Sequence, residues 1–249
     1  MGPVMSLHTA ARVGVVVPSG NAAAEPEIGT LVRPEMNLHT SRFPVLPGLD
    51  LRERLDVYNE RLPDVVAGFG GLALDAVVVA CSGSHYLLDP DGDRALCEKI
   101  GADIGAPVAS STLATLDTAA DLGIEDIVLV SPYQPWLTDL SAGYWEKAGL
   151  RVTRTIKVKA GDRYSPYDVT TADLVAQVGE AGLADDAAVL FTGTGMFTFP
   201  ALRLLGADNS RTLLTSNICS ARWALKQAGR TVPQGEAAWP LHRLDGAAS

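Results

Sequence analysis

Residues 76–85 read Ala-Val-Val-Val-Ala-Cys-Ser-Gly-Ser-His, and residues 188–197 read Ala-Val-Leu-Phe-Thr-Gly-Thr-Gly-Met-Phe. Each segment is a short apolar run that ends in small and hydroxylated residues. The first segment carries Cys81, and the second carries Gly193 at the matching place, 112 residues later. A repeated unit of this kind predicts two similar halves, of which one supplies a thiol and the other does not.

Two further pairs of segments repeat in the same order and at nearly the same spacing. Residues 13–20 correspond to 127–133, and residues 108–112 correspond to 214–218. Three landmarks at near-constant spacing indicate a duplication more strongly than one match does. We therefore predict a first half formed by residues 1–115 and rejoined by residues 223–249, and a second half formed by residues 116–222.

Short β-branched apolar runs alternate along the chain with stretches of helical length. The predicted strands are Arg12–Val17, Asn37–Arg42, Ala76–Ala80, Pro107–Ala109, Asp126–Val130, Arg151–Lys157, Ala188–Thr192 and Thr212–Thr215. The predicted helices are Ala22–Val32, Leu51–Phe69, Asp91–Ile100, Thr112–Leu122, Trp136–Ala148, Thr171–Ala184, Phe199–Leu205 and Ile218–Ala228. This alternation predicts an α/β fold with right-handed crossovers and parallel strands that are buried on both faces. The Gly-, Pro- and Ala-rich stretch after residue 228 is typical of a surface tail.

The composition excludes several classes of partner. The chain has 249 residues, of which 47% are hydrophobic, and its formal net charge is −9. Such an acidic balance disfavours binding to nucleic acid or to an anionic membrane. Three cysteines, four scattered histidines and the absence of a CxxC motif indicate free thiols and no metal site. With no signal-peptide layout before Arg12 and no apolar run of about 18 residues, we expect a cytoplasmic protein.

The carboxyl ends of the predicted strands carry the polar and small residues. Ligands of open parallel sheets bind beyond these ends, and two facing half-sites predict a pocket between the halves. The segments concerned are Pro18–Asn21, Cys81–His85, Ser131–Tyr133, Gly193–Met196 and Thr215–Asn217.

Cys81 is the strongest candidate for a catalytic group. It follows a buried strand and precedes a Ser-Gly-Ser loop, whose backbone amides are expected to lower the pKa of the thiol. A thiolate can add to an electron-poor double bond or transfer a proton. The structural alternative is a buried, inert cysteine. We assign that packing role to Cys97 and Cys219.

Asn21, Ser216 and Asn217 each have two interpretations. Asn and Ser are favoured as helix N-caps, and all three also lie where a substrate carboxylate would sit. We expect them to bind substrate, together with Gly193 and Thr194 of the second half.

Tyr133, His85 and Arg163 are the remaining candidates. Tyr133 follows a Ser-Pro turn, so its hydroxyl could enter the pocket, whereas packing of the ring is the alternative. His85 could tune the Cys81 thiol, although a separation of four residues in a loop does not fix that contact. Arg163 could bind a carboxylate by two parallel hydrogen bonds, although a surface arginine is the default.

Five motifs in order resemble those of one enzyme superfamily. They are Pro18-Ser-Gly-Asn21 with Glu25, Ala80-Cys-Ser-Gly-Ser84, Ser131-Pro-Tyr133, Thr192-Gly-Thr-Gly-Met196, and Thr215-Ser-Asn217 followed by Trp223. From about Ala11 to Gly229, the chain resembles the aspartate/glutamate racemase superfamily, in its branch of maleate cis-trans isomerases and arylmalonate decarboxylases.

The resemblance implies two pseudo-symmetric α/β domains with the site in the cleft between them, and chemistry without a cofactor or metal. It also implies a small carboxylate substrate and a homodimer. Carried over to this chain, Cys81 is the thiol, and Ser82 and Gly83 are donors beside it. Tyr133 becomes a catalytic phenol donor and Asn21 an amide donor.

The chain departs from the pattern at Gly193, where racemases and maleate isomerases usually carry a second cysteine. Arylmalonate decarboxylases also have one cysteine, but typically on the second half. Two-base racemisation needs an acid and a base on opposite faces of one carbon, and neither Gly193 nor the weakly acidic Thr192 and Thr194 can supply the second. Racemisation is therefore disfavoured.

Three hypotheses remain compatible with a single thiol. The leading one is cis–trans isomerisation of a maleate-like diacid by covalent addition of Cys81. The second is decarboxylation of a malonate-type acid with Cys81 as proton donor, in which Gly193 would leave space for a bulky substituent. The third is a non-catalytic protein that binds small dicarboxylates.

Overall fold

The computed structural model describes residues 10–207 and 210–247. Two four-stranded parallel sheets form the framework of the described residues. The first sheet contains β1 (Ala11–Val17), β2 (Met36–Arg42), β3 (Ala76–Val79) and β4 (Val108–Ser110). The second sheet contains β5 (Asp126–Ser131), β6 (Arg151–Lys157), β7 (Ala188–Phe191) and β8 (Thr212–Thr215).

The two sheets have the same topology. Their strand orders are β2-β1-β3-β4 and β6-β5-β7-β8, which confirms the two similar α/β halves predicted from the repeat. The central strands β1, β3, β5 and β7 are almost fully buried. The edge strands β2 and β6 are partly exposed, so burial on both faces does not hold for them.

Register within each sheet brings the repeated motifs together. Val16 of β1 lies beside Val79 of β3, and Val130 of β5 lies beside Phe191 of β7. The residues that follow β1 and β3 therefore emerge next to each other, and so do those that follow β5 and β7. Because the strands are parallel, all four loops leave the sheets at their carboxyl edges.

Helices flank both sheets at each of the eight predicted places. They are α1 (Ala24–Val32), α2 (Leu51–Ala67), α4 (Asp89–Ile104), α5 (Ser111–Asp121), α6 (Pro135–Lys147), α7 (Thr171–Gly179), α8 (Phe199–Leu205) and α9 (Ser216–Gln227). Two further helices have no counterpart in the prediction, namely the single turn α3 (Ser82–His85) and the final helix α10 (Trp239–Ala247). Among the described residues, no helix combines the length and apolar character that crossing a bilayer requires.

The expected surface tail is wrong for its described part. A 3₁₀ turn at Glu236–Ala238 leads into α10, and Leu241 and Leu244 of that helix are buried in the core. Residues 248 and 249 lie outside the described part. The tail contains too few apolar residues to show a helical period, although both of its leucines are turned inward.

Helix α9 packs along α1 and α5 of the first half. Lys226 of α9 forms ion pairs with Asp117 and Asp121 of α5. The predicted boundary at residue 115 falls inside α5, and the first turn of α9 is already bonded to α1 through Asn217 and Glu27. The division of the chain at residues 115 and 223 stays a prediction.

Candidate active site

A cleft of about 380 Å³ opens at the carboxyl edges of the two sheets. Its walls come from both halves of the chain. The first half contributes residues 18–21, one face of α2 and Cys81–Gly83, and the second half contributes residues 133, 134 and 137, residues 164–167, Thr194 and Gly195. A larger depression of about 700 Å³ lies elsewhere, against α4, α5 and Trp223, and contains none of the repeated motifs that end the central strands.

Cys81 lies in the wall of this cleft with 4% of its surface exposed. Burial raises the pKa of its thiol, and the hydroxyl and backbone amide of Ser84 offset only part of that rise. The expectation of a net lowering is therefore wrong, because removal of water outweighs the donors. The thiol stands immediately before α3, where the N–H groups of Ser82 and Gly83 have no acceptor within the helix.

Two leucines pack against Gly83, two residues after Cys81. A Cβ at this position would lie 3.3 Å from Cδ2 of Leu55 and 3.6 Å from Cδ2 of Leu137. Because Leu55 belongs to α2 and Leu137 to α6, side chains from the two halves form an apolar surface beside Cys81.

Tyr133 occupies the space that a second cysteine would need. Gly193 has a φ of +97°, and a Cβ built on it would lie 2.6 Å from Oη of Tyr133. The hypothesis that Gly193 leaves room for a bulky substituent is therefore wrong, because the phenol fills that room. Burial raises the pKa of Tyr133 well above its ordinary value, so its hydroxyl stays protonated and can donate a hydrogen bond.

Asn21 and Thr194 join the two walls at the floor of the cleft. The Asn21 Oδ1 accepts hydrogen bonds of 3.0 Å from the backbone amides of Ala23 and Ala24, which is the capping role. Its Nδ2 donates to Thr194 Oγ1 at 3.0 Å, and that hydroxyl donates to the carbonyl of Ala80. Since a side-chain amide has two protons, one proton of Asn21 remains for a ligand.

Three predicted substrate contacts lie behind the wall. Ser216 Oγ accepts from the Gly193 amide at 3.1 Å and from Ser82 Oγ at 3.3 Å. Asn217 donates to Glu27 at 2.8 Å and to the carbonyl of Thr194. Buried hydrogen bonds hold Gly193, Ser216 and Asn217 behind the wall and none of them lines the cleft, so the structure does not support direct contact with substrate at these three residues. The cap of α9 is Thr215, whose Oγ1 accepts from the Ile218 amide.

His85 and Arg163 also lie away from the cleft. The fully buried His85 directs Nδ1 to Asp93 Oδ1 at 2.7 Å, so it does not tune Cys81. Arg163 is 76% exposed and pairs with Asp168 at 3.5 Å. The short Ala160–Arg163 bridge forms a turn at the surface, which directs the arginine to solvent.

His85, Asp93 and Cys97 offer buried ligand atoms within 4.8 Å of one another. The Asp93 oxygens already accept hydrogen bonds from His85, Ser110, Thr112 and Tyr144. Burial alone would raise the pKa of Asp93. The charge and hydrogen bond of His85, together with the hydroxyl donors, lower the pKa by more than burial raises it, so the carboxylate stays ionised. This cluster is a hydrogen-bond network around the Asp93 carboxylate in which Nε2 of His85 has no partner among the described residues, and the expectation of no metal stays a prediction.

Comparison with known proteins places this geometry among enzymes. No family model matches the chain. A maleate isomerase of Geobacillus stearothermophilus is 26% identical over 206 residues, covering 77% of this chain and 81% of that protein. The crystal structure of the maleate isomerase Iso from Pseudomonas putida S16 superposes with a TM-score of 0.81 at 20% identity, covering 90% of this chain and 96% of that chain.

The fold also matches arylmalonate decarboxylase. A double variant of that enzyme, with one glycine changed to cysteine and one cysteine to serine, gives a TM-score of 0.74 at 19% identity over 91% of this chain and 97% of that chain. These relatives and structural neighbours support the chain's resemblance to the maleate isomerase and arylmalonate decarboxylase branch of the Asp/Glu racemase-like superfamily. A further member of the branch is a Nocardia farcinica maleate cis-trans isomerase with a cysteine-to-serine change and a covalently bound succinylcysteine intermediate. It gives a TM-score of 0.78 at 20% identity over 90% of this chain and 96% of that chain.

Sequence reasoning missed part of this cleft. Arg54 and Tyr58 of α2 line it, as do Tyr164 and Tyr167 after β6. The available signal was spacing, because Leu51, Arg54 and Tyr58 fall on one face of the predicted helix. A cation on an otherwise apolar face could have marked α2 as a cleft wall.

Proposed function

We propose that this protein is a cofactor-independent cis–trans isomerase of a small unsaturated dicarboxylate of the maleate type, with Cys81 as nucleophile. The observation that carries the proposal is the position of Cys81 in a cleft whose hydrogen-bond donors come from both halves. It is supported by the curated relative that is named a maleate isomerase, and by the succinylcysteine held in the Nocardia protein.

The reaction needs one thiolate and no external reactant. The Cys81 thiol first releases its proton to solvent water, and the resulting thiolate adds to one alkene carbon while the π electrons move onto the carboxylate conjugated with the double bond. The bond between the two former alkene carbons is then single and rotates. The electrons then return from the carboxylate, the double bond re-forms, and the bond to sulfur breaks. The thiolate leaves and the trans product is released.

Neutral donors stabilise the charge that develops during addition. We assign this role to the Tyr133 hydroxyl, to the remaining amide proton of Asn21 and to the N–H groups of Ser82 and Gly83. Thr194 holds Asn21 in place through the 3.0 Å hydrogen bond. Leu55 and Leu137 exclude water beside the thiol, which strengthens these interactions.

The direct test replaces Cys81 by Ala. We expect formation of fumarate from maleate, followed by proton NMR, to fall to the uncatalysed rate, since no other thiol lines the cleft in the described part of the chain. The control is Cys219→Ala, which removes a buried cysteine of α9 and should retain turnover. Unchanged turnover in Cys81→Ala would refute the mechanism.

One observation favours decarboxylation of an arylmalonate as a second candidate. Burial raises the pKa of Cys81, so the thiol is protonated at neutral pH, as a proton donor must be. The pH dependence of kcat/KM separates the two chemistries. A nucleophilic thiolate makes the rate rise with pH through the neutral range, whereas a proton-donating thiol makes it fall once the thiol ionises. Release of CO2 from phenylmalonate would support the second candidate.

We further propose a homodimer that works in the cytoplasm and binds no nucleic acid. The net charge of −9 disfavours nucleic acid, the three buried free cysteines fit the reducing cytoplasm, and the homodimer rests on the family resemblance alone. Light scattering on the purified protein would reveal a monomer if the dimer is wrong.

A further inference from the structure

Arg54 places a positive charge in the wall of the cleft. It lies on α2, four residues before Tyr58, and both side chains line the cavity. Residues four apart share one face of a helix, so this face of α2 presents the guanidinium together with the phenol.

No negatively charged residue pairs with Arg54 in the described part of the chain. Within the described residues it forms no ion pair, and its Nε is buried without a hydrogen-bond partner. The described residues that line the cleft include no Asp or Glu, and Arg54 is their only Lys, Arg or His. A buried guanidinium nitrogen without a partner is unfavourable unless a ligand supplies the acceptor.

The two walls of the cleft both face this charge. Burial raises the pKa of Tyr58, and the nearby Arg54 charge lowers it part of the way. The same opposition applies to Tyr167 of the second half. Arg54, Tyr58 and Tyr167 all line the cleft, so the guanidinium shares it with phenols from both halves.

We propose that Arg54 binds the second carboxylate of the substrate, the one remote from the carbon that Cys81 attacks, and so selects dianions over monoanions. This inference rests on the proposed function, which assigns the other carboxylate to the hydrogen-bond donors around Cys81. A guanidinium presents two parallel N–H donors that match the two oxygens of a carboxylate. The neutral donors around Cys81 then remain free for the carboxylate on which charge develops.

The kinetic test compares Arg54→Gln with Arg52→Gln. Arg52 is an exposed arginine on the same helix that stacks near Trp136 outside the cleft, so it is the matched control. For Arg54→Gln we expect KM for maleate to rise about tenfold to hundredfold, the usual range for a charge-assisted hydrogen bond. The preference for maleate over maleamate, which has one neutral end, should disappear. Arg54→Lys should recover part of it.

A binding measurement separates this inference from the proposed reaction. Calorimetric titration of succinate into Cys81→Ala, with and without Arg54→Gln, requires no turnover. Weaker binding in the double variant supports the inference even if the wild-type protein isomerises nothing, which would refute the proposed function alone. Equal affinity in both proteins, or no succinate binding to either, overturns the role of Arg54. Circular dichroism checks that each variant is folded.

Discussion

Gly193 and Tyr133 form one unit at the scale of single residues. The glycine holds a backbone conformation that side chains rarely adopt, and the phenol lies where a side chain would project. The Gly193 amide is bound to Ser216 Oγ, which fixes the conformation from behind. At the place that matches Cys81, the second half therefore presents the neutral hydroxyl of Tyr133. This tyrosine follows β5, whereas Gly193 follows β7.

Replacing Gly193 by Ala should destabilise the protein, because the new Cβ would meet the Tyr133 hydroxyl and the backbone would be strained. Gly182→Ala is the control, since Gly182 also has a positive φ but nothing lies within 4 Å of its Cβ position. We expect Gly193→Ala to lower the free energy of unfolding by about 1–3 kcal/mol more than the control, measured by urea denaturation. Equal losses in the two variants would mean that Tyr133 does not fill this space.

Single residues were predictable where a motif adjoined a strand end. Cys81, Asn21 and Tyr133 line the cleft because register places the ends of β1, β3 and β5 at the carboxyl edges of the sheets. Arg54 was missed because it lies in the middle of a helix and not at the end of a strand, and only the packing of α2 in the fold brings it to the cleft. The sequence also could not predict that the pKa of Cys81 is raised, because burial outweighs the nearby hydrogen-bond donors.

Helix α3 is a single turn, so its position depends on neighbouring elements. His85 at its end binds Asp93 of α4, and that carboxylate also accepts from Thr112 of α5 and Tyr144 of α6. Asn59 of α2 donates to the Ser84 carbonyl at 2.8 Å. The element that carries the residues after Cys81 is thereby tied to four helices.

Asp93→Asn should weaken this connection, because an amide group would oppose donors that now meet carboxylate oxygens. We expect the free energy of unfolding to fall by about 3 kcal/mol, as when one partner of a buried pair is removed. The lowered pKa of Asp93 means that its stabilising effect is present above the ordinary carboxyl pKa and is lost as pH falls through the folded value. Asp91→Asn, an exposed change on the same helix, should have a much smaller effect in urea denaturation; a similar loss would contradict the network.

Elements were predictable where hydrophobic runs were long. All eight strands fall at the predicted places, and β1, β3, β5 and β7 do so because each is an apolar run with the length of a buried strand. The sequence predicts a loop where α3 forms, since Ser-Gly-Ser has low helix propensity and only tertiary hydrogen bonds hold the turn. Helix α10 was missed because only a few of its side chains are apolar.

Glu27 connects the two halves at the scale of the whole molecule. This buried carboxylate of α1 accepts from the Thr198 amide at 2.5 Å, from the Phe199 amide at 3.2 Å and from Asn217 at 2.8 Å. Thr198 and Phe199 begin α8 of the second half, so one side chain fixes the first half against the second behind the cleft. The relative position of Cys81 and Tyr133 depends on such connections.

Glu27→Ala should lower the free energy of unfolding by about 3 kcal/mol, because three buried donors lose their acceptor.

Burial raises the pKa of Glu27 more than its hydrogen bonds lower it. A raised pKa in the folded state means that the stabilising contribution is complete below the ordinary carboxyl pKa and is lost as pH rises through the folded value. The difference in free energy of unfolding between the wild-type protein and Glu27→Gln should therefore shrink as pH increases from the ordinary carboxyl pKa through the raised folded value. Urea denaturation across this range, with the exposed Glu60→Gln as control, measures it, and a difference that grows with pH would show that Glu27 is stabilised as the anion.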